Sequence, residues 1–121
     1  MLPILRQVAD KSGEAAIMGN IGGAYLHLNQ YDRALSYFQQ ALSIQKQVRD
    51  KSGEATTLDN IGSAYVYLSQ YDKALTFFQQ AMAIQKETGD TVGAALTLGA
   101  IQKVQSRQGQ NGNADVPASS P

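Results

Sequence analysis

Large apolar residues along this chain recur at steps of three and four, stop, and start again in a rhythm that is itself repeated. Met18, Ile21, Gly22, Tyr25 and Leu28 make one run, and Tyr31, Ala34, Leu35, Phe38, Ala41 and Leu42 make the next. This spacing puts each run on one stripe of an α-helix. Asn29 and Gln30 interrupt the two runs, as Ser69 and Gln70 do later, with residues that suit a tight turn. The predicted unit is an antiparallel helical hairpin. Laid over the chain 40 residues on, Lys11–Asp50 matches Lys51–Asp90 at 24 of 40 positions, and a fixed period of that size marks a stacked repeat.

Size alternation indicates how such hairpins stack. Gly22 and Gly62, Ala34 and Ala74, and Ala41 and Ala81 let backbones approach, while Tyr25, Tyr65, Phe38 and Phe78 fill the space left between them. Burial of each large apolar side chain is worth about 1.5–3 kcal/mol. Ordering a residue's backbone costs about 1–2 kcal/mol, so a single hairpin is not expected to fold alone.

The pattern resembles the tetratricopeptide repeat in a 40-residue form. Met18, Ile21, Gly22, Tyr25, Tyr31, Ala34, Phe38 and Ala41 answer its motif, as do Leu58, Ile61, Gly62, Tyr65, Tyr71, Ala74, Phe78 and Ala81. The proline that usually ends a 34-residue repeat is missing, and helix extensions through Gln45, Lys46 and Gln47 take its place. Such extensions are similar to the repeats of kinesin light chains, of Pins-type polarity scaffolds and of bacterial signalling arrays carrying CHAT domains. The resemblance implies an all-α solenoid of about five full helices plus an N-terminal half helix, and a role in binding peptides.

The expected organisation follows the period. Residues 1–9 correspond to part of a second helix of a preceding repeat, 10–49 form repeat 1, 50–89 form repeat 2, and 90–109 form a degenerate terminal helix that caps the stack. Asp10, Asp50 and Asp90 stand at equivalent places, as N-caps for three hairpin starts. In the third unit Gln102 and Gln105 replace the motif's glycine and tyrosine, and Gly109 is the expected helix end. Residues 110–121, rich in Gly, Asn, Ser and Pro, are expected to be disordered. The mid-repeat start suggests a piece of a longer array.

Composition narrows the function classes. A formal net charge of zero and the lack of a basic stripe give no reason to expect nucleic acid or an anionic membrane. With no cysteine there is neither a disulfide framework nor a thiolate metal site, and no apolar run has the length of a membrane span. The expectation is a cytoplasmic protein. No Ser, His and Asp set, glycine-rich phosphate loop or HExxH motif is present, so neither catalysis nor a cofactor is expected.

Function then falls to the face that packing leaves free. On the first helix of each hairpin Ala16, Asn20, Gly23 and His27 form a stripe beside the packing stripe, and Thr56, Asn60, Ser63 and Tyr67 repeat it. Leu96, Ala100, Lys103 and Arg107 hold these places in the third unit. The resemblance implies that the stripe lines a concave groove. The candidate peptide-binding residues are therefore Asn20, Gly23, His27, Asn60, Ser63, Tyr67, Lys103 and Arg107. Asn20 and Asn60 can pair with both the N–H and the C=O of an extended peptide, or else bond locally and hold the hairpins in register. Lys103 and Arg107 suit an acidic side chain or a terminal carboxylate, or form a solvated face. His27 has no companion ligands for a metal. The alternative to a peptide adaptor is self-association through the incomplete N-terminal repeat, where Ile17, Ile21 and Leu28 are left uncovered.

Overall fold

The computed structural model describes the backbone of residues 3–115 and the side chains of residues 6–109. Within this span the periodic runs form helices and the interruptions form turns: α1 (Pro3–His27), α2 (Tyr31–Val48), α3 (Lys51–Tyr67), α4 (Tyr71–Thr88) and α5 (Thr91–Asp115). α1 pairs with α2 and α3 with α4 as hairpins, and the hairpins stack through α2 on α3 and α4 on α5. The all-α solenoid is thus the observed architecture, with α1, α3 and α5 in one layer and α2 and α4 in the other.

Every turn uses a left-handed residue, and these recur at the repeat offset. Asn29 (φ 62°) and Ser69 (φ 59°) close the hairpins, while Arg49 (φ 60°) and Gly89 (φ 76°) join them. The backbone N–H groups of Arg49 and Asp50 return to carbonyls of the last turn of α2, which satisfies groups a helix end would otherwise leave open. Two of the three expected caps form: Asp50 accepts from the Gly53 N–H at 3.0 Å and Asp90 from the Gly93 N–H at 2.8 Å.

The third cap does not form. Asp10 lies exposed inside an unbroken α1, so the half helix expected over residues 1–9 is continuous with the first helix of repeat 1. Arg6–Asp10 are all exposed, and Gln7, Val8 and Asp10 border an open hollow shared with Val48 of α2, so a break here would bury nothing more. Intrahelical hydrogen bonds therefore prevail over a left-handed break, which costs about 1–2 kcal/mol for a residue such as Ala9. The other end differs too. Gly109 keeps helical geometry and α5 runs on to Asp115, where disorder was expected from residue 110. Just before this stretch Gln108 Nε2 donates to Asp72 Oδ1 of α4 at 2.7 Å. Residues 116–121 lie outside the described span.

Size alternation operates as the residue pattern implies. Phe38 is fully buried over Gly22, where an added Cβ would come within 2.6 Å of its ring, and Phe78 sits the same way over Gly62 at 2.7 Å. Ala34, Phe38, Ile61 and Ala64 join repeat 1 to repeat 2, and Ala74, Phe78, Ile101 and Val104 join repeat 2 to α5. Within each hairpin a stacked aromatic pair repeats, Tyr25 on Tyr37 and Tyr65 on Phe77, with the Arg33 guanidinium and the Lys73 ammonium over the tyrosine rings.

Candidate functional site

The first-helix layer carries a cleft between α3 and α5. Ser63 and Tyr67 line it from α3, Lys103 and Arg107 from α5, and Phe78 and Val104 also border it, around a volume of about 270 Å³. The helical period accounts for this: Ser63 and Tyr67 are one turn apart, as are Lys103 and Arg107, so each pair leans the same way from its helix. No acidic side chain lines the cleft. It therefore combines an apolar border, a hydroxyl and two exposed cations, a set suited to an apolar group with a carboxylate beside it.

Four of the eight candidate residues meet here, and four do not. Asn60 is half-buried on α3 but outside the cleft lining. Asn20 and His27 are exposed on α1, with Gly23 half-buried between them, one repeat away. Neither asparagine side chain makes a hydrogen bond among the described residues, so the register between hairpins is held by other groups. One of these is Tyr67 itself, whose ring stacks on Tyr31 of α2 with centroids 5.2 Å apart and planes 2° from parallel.

The second is Asp59, whose carboxylate accepts from Gln85 Nε2 of α4 at 3.1 Å and from Thr97 Oγ1 of α5 at 3.0 Å. Burial pushes its pKa above the ordinary 3.8, the hydrogen bonds from Thr97 and Gln85 pull it partly back, and the charge of Asp90 adds to the rise. Its role is to tie three helices together rather than to face the cleft. In the first repeat Gly19 stands in its place, which argues against Asp59 as a structural requirement when the repeats are compared by sequence alone. The available signal was a carboxylate set between apolar neighbours Leu58 and Ile61, with a glutamine at both Gln45 and Gln85.

Among the described residues no group of His, Asp or Glu is arranged to hold a metal ion, and no helix is long and apolar enough to cross a membrane.

Comparison with known proteins adds to this picture. No curated protein matches the chain. The crystal structure of the TPR domain of Arabidopsis FLU superposes with a TM-score of 0.78 at 21% sequence identity, covering 82% of this chain and 83% of that one. The agreement supports the fold. The family model of the tetratricopeptide repeat matches residues 13–87 and again 53–114, two overlapping stretches that take in both hairpins and most of α5. Repeat motif, hairpin stack and family match agree, and the chain belongs to the tetratricopeptide repeat family.

Proposed function

We propose that this chain is a non-catalytic module that binds an extended peptide across its first-helix layer, with the cleft between α3 and α5 as its strongest subsite. The observation that carries the reading is the convergence of Ser63, Tyr67, Lys103 and Arg107 on one cleft bordered by Phe78 and Val104. Lys103 and Arg107 pair with a carboxylate of the peptide, the apolar border takes a neighbouring side chain, and Tyr67, fixed by its stack on Tyr31, forms one wall. Asn20 and Asn60, with unpaired amides, meet the peptide backbone further along the same layer, near Gly23 and His27. Catalysis, nucleic acid and membrane are not part of this reading, and its setting is the cytoplasm. With two full hairpins the groove is short, and affinity is expected near the micromolar range, about −8 kcal/mol.

A fluorescently labelled panel of extended peptides, with matched acidic, amidated and neutral members, tests this by anisotropy. Acidic members should bind, Lys103→Glu with Arg107→Glu should abolish that binding, and Asn20→Ala with Asn60→Ala should weaken all binders alike. Equal binding of acidic and neutral peptides to wild type and the Lys103 and Arg107 variants would remove the cleft from the proposal.

A second reading, self-association through the N-terminal face, is favoured by the exposure of Ile17 and Leu28, 61% and 64% respectively.

A further inference from the structure

The molecule itself shows what a first-helix face of this kind packs against. On α3, Ile61 and Ala64 are fully buried in one cluster with Leu35 and Phe38 of α2, Leu68 packs against that cluster, and Thr57 is buried one turn earlier. Forty residues back these positions are Ile17, Ile21, Ala24 and Leu28. Here Ile17, Ala24 and Leu28 are exposed and Ile21 is only half-buried. α1 thus ends in an apolar stripe about three turns long, at the position where α3 carries an interface.

Several observations narrow what covers it. The two second-helix faces that lie on such a stripe within the molecule are occupied, α2 by α3 and α4 by α5, so another copy has no free α2-type face to offer. The stripe is also symmetric in sequence about the midpoint between Gly22 and Gly23. In an antiparallel pair of α1 helices, Ile17 of one copy lies opposite Leu28 of the other, and Ile21 opposite Ala24. Each apolar position meets an apolar position, and large meets small beside the axis, as a two-fold interface requires. Charge selects the same arrangement. The stripe continues toward the N-terminus through Gly13, Asp10 and Arg6; a parallel pair would set Asp10 against Asp10 and Arg6 against Arg6, whereas the antiparallel pair carries them past the end of the partner helix into water.

We infer that two copies of this chain associate through an isologous, antiparallel contact of their α1 helices centred on Ile21 and Ala24. This rests on the self-association reading above and gives it an orientation and a register. The contact is small, so the dimer is weak, with a dissociation constant of about 10–100 µM. The peptide cleft between α3 and α5 is left open in both copies.

Sedimentation velocity from about 1 µM to several hundred µM, bracketing that constant, reads the association, and single-cysteine cross-linking reads the register. The chain has no cysteine of its own, so Ile17→Cys and Leu28→Cys each introduce one thiol. Wild type should pass from monomer to dimer and stop there, and Leu28→Glu should stay monomeric with its helical circular dichroism retained. Under mild oxidation a mixture of Ile17→Cys and Leu28→Cys should cross-link, while neither alone should. A strict monomer over the whole range overturns self-association altogether, leaving the stripe to a helix outside this sequence. A dimer that survives Leu28→Glu, a cross-link within Ile17→Cys alone, or growth beyond the dimer overturns the antiparallel α1 contact while keeping self-association.

Discussion

Asp59 and Thr97 are 38 positions apart in the chain, and the threonine hydroxyl bridges both carboxylate oxygens at 3.0 Å. Thr97 is 2% exposed, so water cannot replace its partner easily. Gln85 donates to the same carboxylate from α4, and the three side chains fix α5 to the second hairpin near its N-terminal half. Asp59→Ala should leave two buried donors without acceptors, a loss of about 1–3 kcal/mol. Because the lost contacts converge on α5, amide exchange in Thr91–Gln108 should accelerate more than exchange in α1 and α2. Uniform acceleration would mean that α5 is held by its apolar contacts alone.

The same group gives the stability a defined pH dependence. The folded pKa of Asp59 lies above the unfolded value, chiefly through burial, so the folded chain holds this proton more tightly. Its contribution to stability is therefore fully present below the unfolded pKa and is lost as pH rises through the raised folded one. Asp59→Asn keeps an acceptor for Thr97 without the charge. Urea unfolding of the two proteins side by side should show Asp59→Asn gaining on wild type as pH rises from about 4 to 7. A wild type that gains on the variant over that interval would reverse the sign assigned here.

Gly19 sits where the first repeat lacks this tie. Gln45, the counterpart of Gln85, is buried with its Oε1 unpaired, and a Cβ built at Gly19 meets nothing within 4 Å. Gly19→Asn would supply an amide donor to that oxygen and remove a glycine from the middle of α1. Together these should stabilise the chain by about 1 kcal/mol, measured as a raised urea midpoint with unchanged slope. Gly19→Ala, which makes no such bond and gains more helix propensity than asparagine does, sets an upper bound on the propensity part.

How much of this was legible in the sequence depends on the range of the interaction. The hairpins, their glycine and aromatic positions and the Asp50 and Asp90 caps are set by neighbours within a few turns, and repetition displays them twice. The continuous α1 was not legible, because Asp10 and the Lys-Ser-Gly-Glu after it match Asp50 and its neighbours, yet Asp10 lies exposed within an unbroken helix while Asp50 caps one. The Asp59 tie and the Tyr31 and Tyr67 stack were hidden for a related reason: each joins different helices, and the repeat comparison pairs Asp59 with Gly19 and Tyr67 with His27. In the cleft, helical period aligned Ser63 with Tyr67 and Lys103 with Arg107, but only the stacking of α5 beside α3 brings the two pairs together.

Gly22 and Gly23 are adjacent in α1 and should respond to alanine in opposite directions. A Cβ on Gly22 would come within 2.6 and 2.7 Å of Phe38 ring atoms and 3.2 Å of the Ala34 carbonyl oxygen, and the fully buried Phe38 has nowhere to move. Replacing glycine by alanine inside a helix is otherwise favourable by about 1 kcal/mol. At Gly22 overpacking outweighs that gain, and the net loss should be about 1–3 kcal/mol. At Gly23 nothing lies within 4 Å, and the full gain should appear as a higher melting temperature. Pairing Gly22→Ala with Phe38→Leu should recover part of the loss if the ring is its cause. A double mutant no better than the sum of its parts would place the strain in the Ala34 backbone instead.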